Sequence, residues 1–187
     1  MTTAEAFKEL SSHMIKGLMF HEQMTDYFSF LNLHGYEACH EYHAILERAG
    51  YRRLHRFYME TYGRLIDEGK PEDPAVIPAT WYRYSREEVD TKTKRQAVRE
   101  SIEKWVQWES NTRNIAMNIS RELEKAGDEI AARYVLDIAE DAAKELRWAK
   151  KTHINLASVD YDMVYILDQQ DYLHDWYRKA IKKACRS

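Results

Sequence analysis

Residues that punctuate loops are scarce in this sequence: its 187 residues hold 6 Gly and 3 Pro. That is too few for a many-stranded sandwich or barrel, in which a turn signal recurs about every eight to twelve residues. Cysteine is scarcer still. Cys39 and Cys185 stand far apart, with neither a metal-knuckle spacing nor a disulfide framework, which fits a reducing compartment. No run approaches the roughly eighteen apolar residues of a membrane span. The opening MTTAEAFKEL carries two Glu in place of a basic and apolar leader. Together these lead us to expect a cytoplasmic protein with no membrane partner. Charge of one sign is also lacking, since 28 basic residues meet 31 acidic ones for a net −3. The composition therefore has no electrostatic footprint for nucleic acid. What is present is an apolar payload of 13 Tyr, 5 Trp and 5 Phe, which excludes a wholly disordered chain. The expectation is one all-α domain over residues 1–187.

Apolar spacing divides the chain into helices. Phe7, Leu10, Met14, Gly17, His21, Met24, Phe28 and Leu31 recur at steps of three and four over residues 4–33. Gly35 is expected to take the left-handed conformation that ends this first helix. A second face, Tyr36, His40, His43, Glu47, Gly50, Leu54, Phe57, Thr61 and Leu65, runs to Glu68, with Ala49-Gly50 a candidate kink and Gly69 the stop. All three prolines fall in residues 70–84 beside Trp81, Tyr82 and Tyr84, predicting an extended link. Ser85-Arg-Glu-Glu88 fits a capping box opening a third helix. Its stripe is Val98, Ile102, Trp105, Glu109, Thr112, Ala116, Ile119 and Leu123, mostly apolar with one carboxylate. A turn at Ala126-Gly127-Asp128 leads to a fourth helix over 129–151, and a fifth spans 158–184. The pattern is two antiparallel hairpins, 4–69 and 85–151, with an added C-terminal helix.

The link can be tested against bundle dimensions. A thirty-residue helix is about 45 Å long at 1.5 Å rise per residue, and fifteen extended residues reach about 50 Å. The link can therefore cross the whole bundle, which separates a crossover topology from an up-down-up-down bundle with short loops. Placing the first turn between His34 and Gly35 sets Glu22 level with Glu47. Placing the second at Gly127 sets Glu109 level with Glu145. Under the crossover these levels are about 19 Å from one end and about 27 Å from the other, so all four Glu share one layer.

Carboxylates converging in a core resist burial unless cations neutralise them. In hairpin order, crossover link and the placing of Glu22, Glu47, Glu109 and Glu145, the sequence resembles the ferritin-like superfamily of di-metal carboxylate four-helix bundles. The resemblance implies iron or manganese held by those four residues, with iron oxidation or storage, oxygen or peroxide reduction, or hydroxylation as activities. The superfamily's Glu-x-x-His motifs are absent, because Glu47 is followed by Gly50 and Glu145 by Trp148. His43, four residues before Glu47, and His21, beside Glu22, are the candidate nitrogen donors.

Other readings compete. Taken singly, each carboxylate reads as solvated or paired, for example Glu109 with Arg113. A metal-free helical interaction protein is the alternative, forming a homodimer through the aromatic C-terminal helix or the link, since aromatic residues are enriched at interfaces. The run Tyr51 to Tyr58 mixes Arg with aromatics as an RNA-contacting surface does, but Leu54 and Phe57 keep the apolar period of a packing face. Phosphate loops, nucleophile elbows, Cys-x-x-Cys and His-Glu-x-x-His are all missing.

Overall fold

The computed structural model describes residues 1–66 and 89–184. Among these residues its elements are six helices: α1 Thr3–Phe30, α2 His34–Tyr62, α3 Thr91–Lys125, α4 Glu129–Ser158, α5 Met163–Asp168 and α6 Gln170–Ala184. The predicted link 70–84, the Ser85 to Glu88 capping box and the stop at Gly69 lie outside the described residues.

Local chemistry sets the helix ends. Thr2 and Glu5 form a reciprocal capping box at the start of α1, Thr2 accepting from Glu5 N and Glu5 from Thr2 N. Asp90 caps α3 by accepting from Thr93 N at 2.7 Å, so that helix starts at Thr91 and not at the predicted Ser85. Gly63, at φ 62, ends α2 six residues before the predicted Gly69. Leu65, expected on the packing face, is consequently left 80% exposed beyond the helix. No break occurs at Gly50, and α2 runs straight through Ala49-Gly50.

The turn between α1 and α2 differs from the expectation. Asn32, and not Gly35, takes the left-handed backbone, at φ 57, which Asn tolerates better than other non-glycine residues. Leu33 N then donates to Phe28 O at 2.9 Å, closing α1. Gly35 lies inside α2, where a side chain does not fit: a Cβ there would meet the backbone O of Gln170 at 2.8 Å. The glycine serves the approach of α6. Gln170 also accepts from Gly35 N at 2.8 Å and donates to Ile166 O.

Helices α1 and α2 form one hairpin, and α3 and α4 the other. Phe7 stacks on Phe57 and Phe28 lies against Tyr36, so α1 and α2 are antiparallel. Gly127, at φ 82, turns α3 into α4, with Asp128 accepting from Ala131 N, Thr3 Oγ1 and Tyr62 Oη. Asp128 therefore ties the start of α1, the end of α2 and the start of α4 at one end of the bundle. The start of α3 lies at the other end, where Ala97 and Val98 pack with Phe28. Chain leaving α2 must therefore travel the length of the bundle to enter α3, which is the crossover topology. The predicted fifth helix is broken into α5 and α6 at Gln169, and α4 continues seven residues past the expected Lys151 to Ser158. After α4, Asp160 and Tyr161 both adopt positive φ, 48 and 53. Arg95 and Arg99 pair with Asp160 and hold this turn, while Tyr161 Oη bonds His153 Nδ1. Helix α6 then lies along α2, where Tyr177 covers Ala38 and Cys39.

Among the described residues, two large apolar clusters form most of the core, beside the smaller one of Ala38, Cys39 and Tyr177. One joins Phe20, Met24, Phe28, Val98, Ile102 and Trp105; the other joins Phe7, Leu10, Leu54, Ile119, Leu123 and Val135. Between them is a polar layer at the level of Gly17, His21, Glu47 and Glu109.

Candidate metal centre

The register of α1 on α2 decides which residues enter that layer. With the turn centred on Asn32, Gly17 lies opposite Glu47 and His21 opposite His43; a Cβ on Gly17 would meet Glu47 Oε1 at 2.9 Å, and the imidazoles of His21 and His43 stack at 5.3 Å. The sequence-based register was centred between His34 and Gly35 and set Glu22 there instead. Glu22 is in fact on the surface, its side chain half exposed and paired with Arg48 at 2.7 Å. The error of five in the residue sum turns the helix by more than a full turn and off the buried face. Helix α1 thus brings an imidazole and a glycine gap to the layer, and no carboxylate.

Three ligand-type side chains converge. One ligand atom each from His21, Glu47 and Glu109 lies within 4.8 Å of the other two. His21 and Glu109 are buried and Glu47 partly so. Glu145 of α4 and His43 of α2 stand beside them, with His43 Nδ1 3.8 Å from Glu145 Oε2. Five of the six predicted residues therefore border one polar layer, and the three that meet come from α1, α2 and α3. Local pairing does not account for Glu109: among the described residues, the groups acting on it are Glu47, Glu145 and the indole of Trp105, with no Lys or Arg.

Electrostatics follow from this crowding. Burial, then the charges of Glu47 and Glu145, push the Glu109 carboxyl up to about 8. Burial pushes Glu47 up to about 7, with Glu145 adding to the rise and the Trp108 indole opposing it. Glu145 is raised as well, first by burial and then by Asp141. Burial depresses the imidazoles, His43 to about 4 and His21 well below its ordinary range. Several polar atoms here lack a protein hydrogen-bond partner: His21 Nε2, His43 Nε2, Glu145 Oε2 and the Nε1 atoms of Trp105 and Trp108. The indoles lie close enough to Glu109 and Glu47 to oppose their protonation without closing a regular hydrogen bond. Buried polar groups are normally satisfied, so this concentration of free valence sets the layer apart from an ordinary core.

A cleft of about 330 Å³ reaches the layer between α2 and α4. Glu47, Glu109, Glu145 and His43 line it, with Leu46 and Ile138 among its apolar walls and Arg53 and Lys144 also bordering it. Aromatic side chains of α6 pack over the neighbouring stretch, where Trp148 meets Trp176 and Tyr177.

Three residues here were not legible as functional from spacing. Trp105 sits on the apolar stripe of the third helix and reads as core, and Trp108 lies off that stripe. His40 follows Glu37 at the Glu-x-x-His spacing but close to the first turn, away from the layer that the predicted register gives to Glu22 and Glu47, yet its Nδ1 lies 2.9 Å from His21 Nδ1 and its Nε2 2.9 Å from Ser101 Oγ. A turn centred on Asn32 sets His21 opposite His43 and within one helical turn of His40, which is the signal that would have drawn His40 into the site.

No protein-family model and no curated protein sequence matches the chain. Among solved structures, it is similar to an open-pore ferritin from the hyperthermophilic archaeon Archaeoglobus fulgidus, with a TM-score of 0.75 and 16% identity over 91% of this chain and 93% of that one. An engineered closed form of the Archaeoglobus fulgidus ferritin is similar to the same degree, with a TM-score of 0.76 and 15% identity over 93% and 96%. With its antiparallel hairpins and their crossed connection, the chain has the ferritin-like four-helix-bundle fold.

Proposed function

We propose that this is a ferritin-like protein that binds one or two transition-metal ions, iron or manganese, in its core and handles iron oxidatively. The observation that carries the reading is the meeting of His21, Glu47 and Glu109 in a polar layer, with no Lys or Arg among the described residues that act on either carboxylate. Carboxylates so placed repel one another, and a cation relieves the repulsion. Imidazole and carboxylate donors suit iron and manganese, whereas a thiolate set would favour softer ions; Cys39 lies under Tyr177 with its thiol pushed up to about 12 by burial. In this reading His21, Glu47 and Glu109 are the first ligands, and Glu145 and His43 are placed to serve a second ion. A bound redox metal would supply one-electron chemistry toward oxygen or peroxide, and the α2–α4 cleft would admit small reactants. Self-association is part of the proposal, as a homodimer through the exposed side chains of Leu167, Tyr172 and Trp176 on α5 and α6.

Elemental analysis of protein purified without chelators tests this. We expect stoichiometric Fe or Mn in the wild type and its loss in Glu47→Gln plus Glu109→Gln. Metal-free wild-type protein that also takes up no Fe(II) or Mn(II) on titration would favour the metal-free interaction protein. Sedimentation equilibrium of wild type and Tyr172→Ser plus Trp176→Ser tests the dimer, which the double variant should weaken.

A further inference from the structure

The hydrogen-bond chain behind His21 goes beyond the ligand set. Its three members, His21, His40 and Ser101, are each no more than 1% exposed and come from α1, α2 and α3. His21 Nδ1 faces His40 Nδ1 at 2.9 Å, and His40 Nε2 faces Ser101 Oγ at 2.9 Å. The rings of Phe28 and Phe20 enclose His40, one stacked at 5.4 Å and the other edge-on at 5.9 Å, and Phe20 also meets His21 edge-on at 4.8 Å.

Two Nδ1 atoms at that distance require one donor and one acceptor, which leaves two directions for the chain. If His40 donates to His21, then His21 carries its proton on Nε2, and that N–H is a buried donor with no hydrogen-bond acceptor. If His21 donates to His40, the unpartnered atom is a lone pair. Orphaned buried donors are the rarer and costlier case, so the second direction is favoured.

We propose that His40 and Ser101 are positioning residues. They hold His21 as its Nδ1–H tautomer, with His40 donating onward to Ser101, so that the His21 Nε2 lone pair is presented to Glu47 and Glu109. Ligating histidines commonly use the other ring nitrogen in this way, and loss of such a partner costs about tenfold to a hundredfold in metal affinity. This inference rests on the metal-binding reading above, but the tautomer can be read without any metal.

Two measurements separate the claims. Two-bond 15N correlation spectra of histidine-labelled, chelator-treated protein at neutral pH report the proton on each ring. A protonated Nδ1 and bare Nε2 on His21 are expected, and the reverse overturns the assignment. Co(II) titration followed by visible absorption then tests the role. His40→Phe keeps an aromatic ring in place and removes the acceptor, so it should weaken Co(II) binding by about tenfold or more. In His40→Gln, the side-chain oxygen accepts from His21 and its amide donates to Ser101, so affinity should recover most of the loss. Equal affinities in the Phe and Gln variants would overturn the positioning role. Absence of Co(II) binding in the wild type, alongside the expected tautomer, would overturn the metal reading and leave the tautomer assignment supported.

Discussion

Gly17 shows how much one missing methyl group permits. A Cβ there would lie 2.8 Å from the Trp108 ring and 2.9 Å from Glu47 Oε1, both closer than nonbonded atoms allow. Gly17→Ala should therefore displace the Glu47 carboxylate and weaken Co(II) binding by about tenfold or more, whereas Glu22→Ala, at the surface, should leave binding unchanged; isothermal titration of both variants distinguishes them. Titration of the buried groups has a definite sign. Glu109 and Glu47 are raised from 4.5 to about 8 and about 7, so the folded protein holds protons that the unfolded chain has released. Their contribution to stability is present at low pH and is lost as pH rises through 7 and 8. His13, His40 and His43 act oppositely, being depressed from 6.5 to about 4, about 3 and about 4. Theirs is lost as pH falls below 6.5. Above about pH 7, where the unfolded chain's imidazoles have lost most of their protons, the two carboxylates outweigh the histidines, so the stability of metal-free protein, and with it the Tm, should fall between pH 7 and 8. Thermal melts of chelator-treated wild type and of Glu47→Gln plus Glu109→Gln check this, since the double variant should show a flatter profile.

At the scale of the helix, the caps and contacts of single side chains fix where whole elements lie. Asp128 accepts from Ala131 N and from the hydroxyls of Thr3 and Tyr62; Asp128→Ala should cost about 1–3 kcal/mol in urea unfolding, the cap plus part of the two side-chain bonds. Gly35→Ala would set a Cβ against the Gln170 backbone, so α6 should separate from α2. Such contacts also explain what could be read from the sequence. Four long helices and a crossover were legible because Phe7, Met24, Val98 and Leu123 sit on periods that only a helix brings to one face. The place of Glu109 and Glu145 was legible too, since Gly127 marks the second turn without competition. The first turn was not: Asn32 and Gly35 both fit a left-handed residue, and what decides between them is the contact of Gly35 with α6, 135 residues further on. A local pattern carries no information about that contact, and with the wrong centre Glu22 displaced His21 in the register. The break at Gln169 was hidden for a similar reason, because the aromatic period of α6 continues that of α5 while Gln170 turns inward to Gly35.

For the molecule as a whole, the last helix acts as a cover. Cys39 is 6% exposed beneath Tyr177. In a Cys185→Ser background its thiol should resist a disulfide reagent in native buffer, and Tyr177→Ala should make it react faster; absorbance of the released thiolate measures both. The crossover connection has a wider consequence. It places the chemistry of the core half on one hairpin, as His21 and Glu47, and half on the other, as Glu109 and Glu145, so neither hairpin owns a complete site. On the proposed metal-binding function, docking of the two halves and capture of a cation are linked equilibria governed by mass action. Free ion at a hundred times its Kd should add about 2.7 kcal/mol to the stability of the docked form. The midpoint of unfolding should accordingly climb with the logarithm of ion concentration, as though the ion were the last residue to fold.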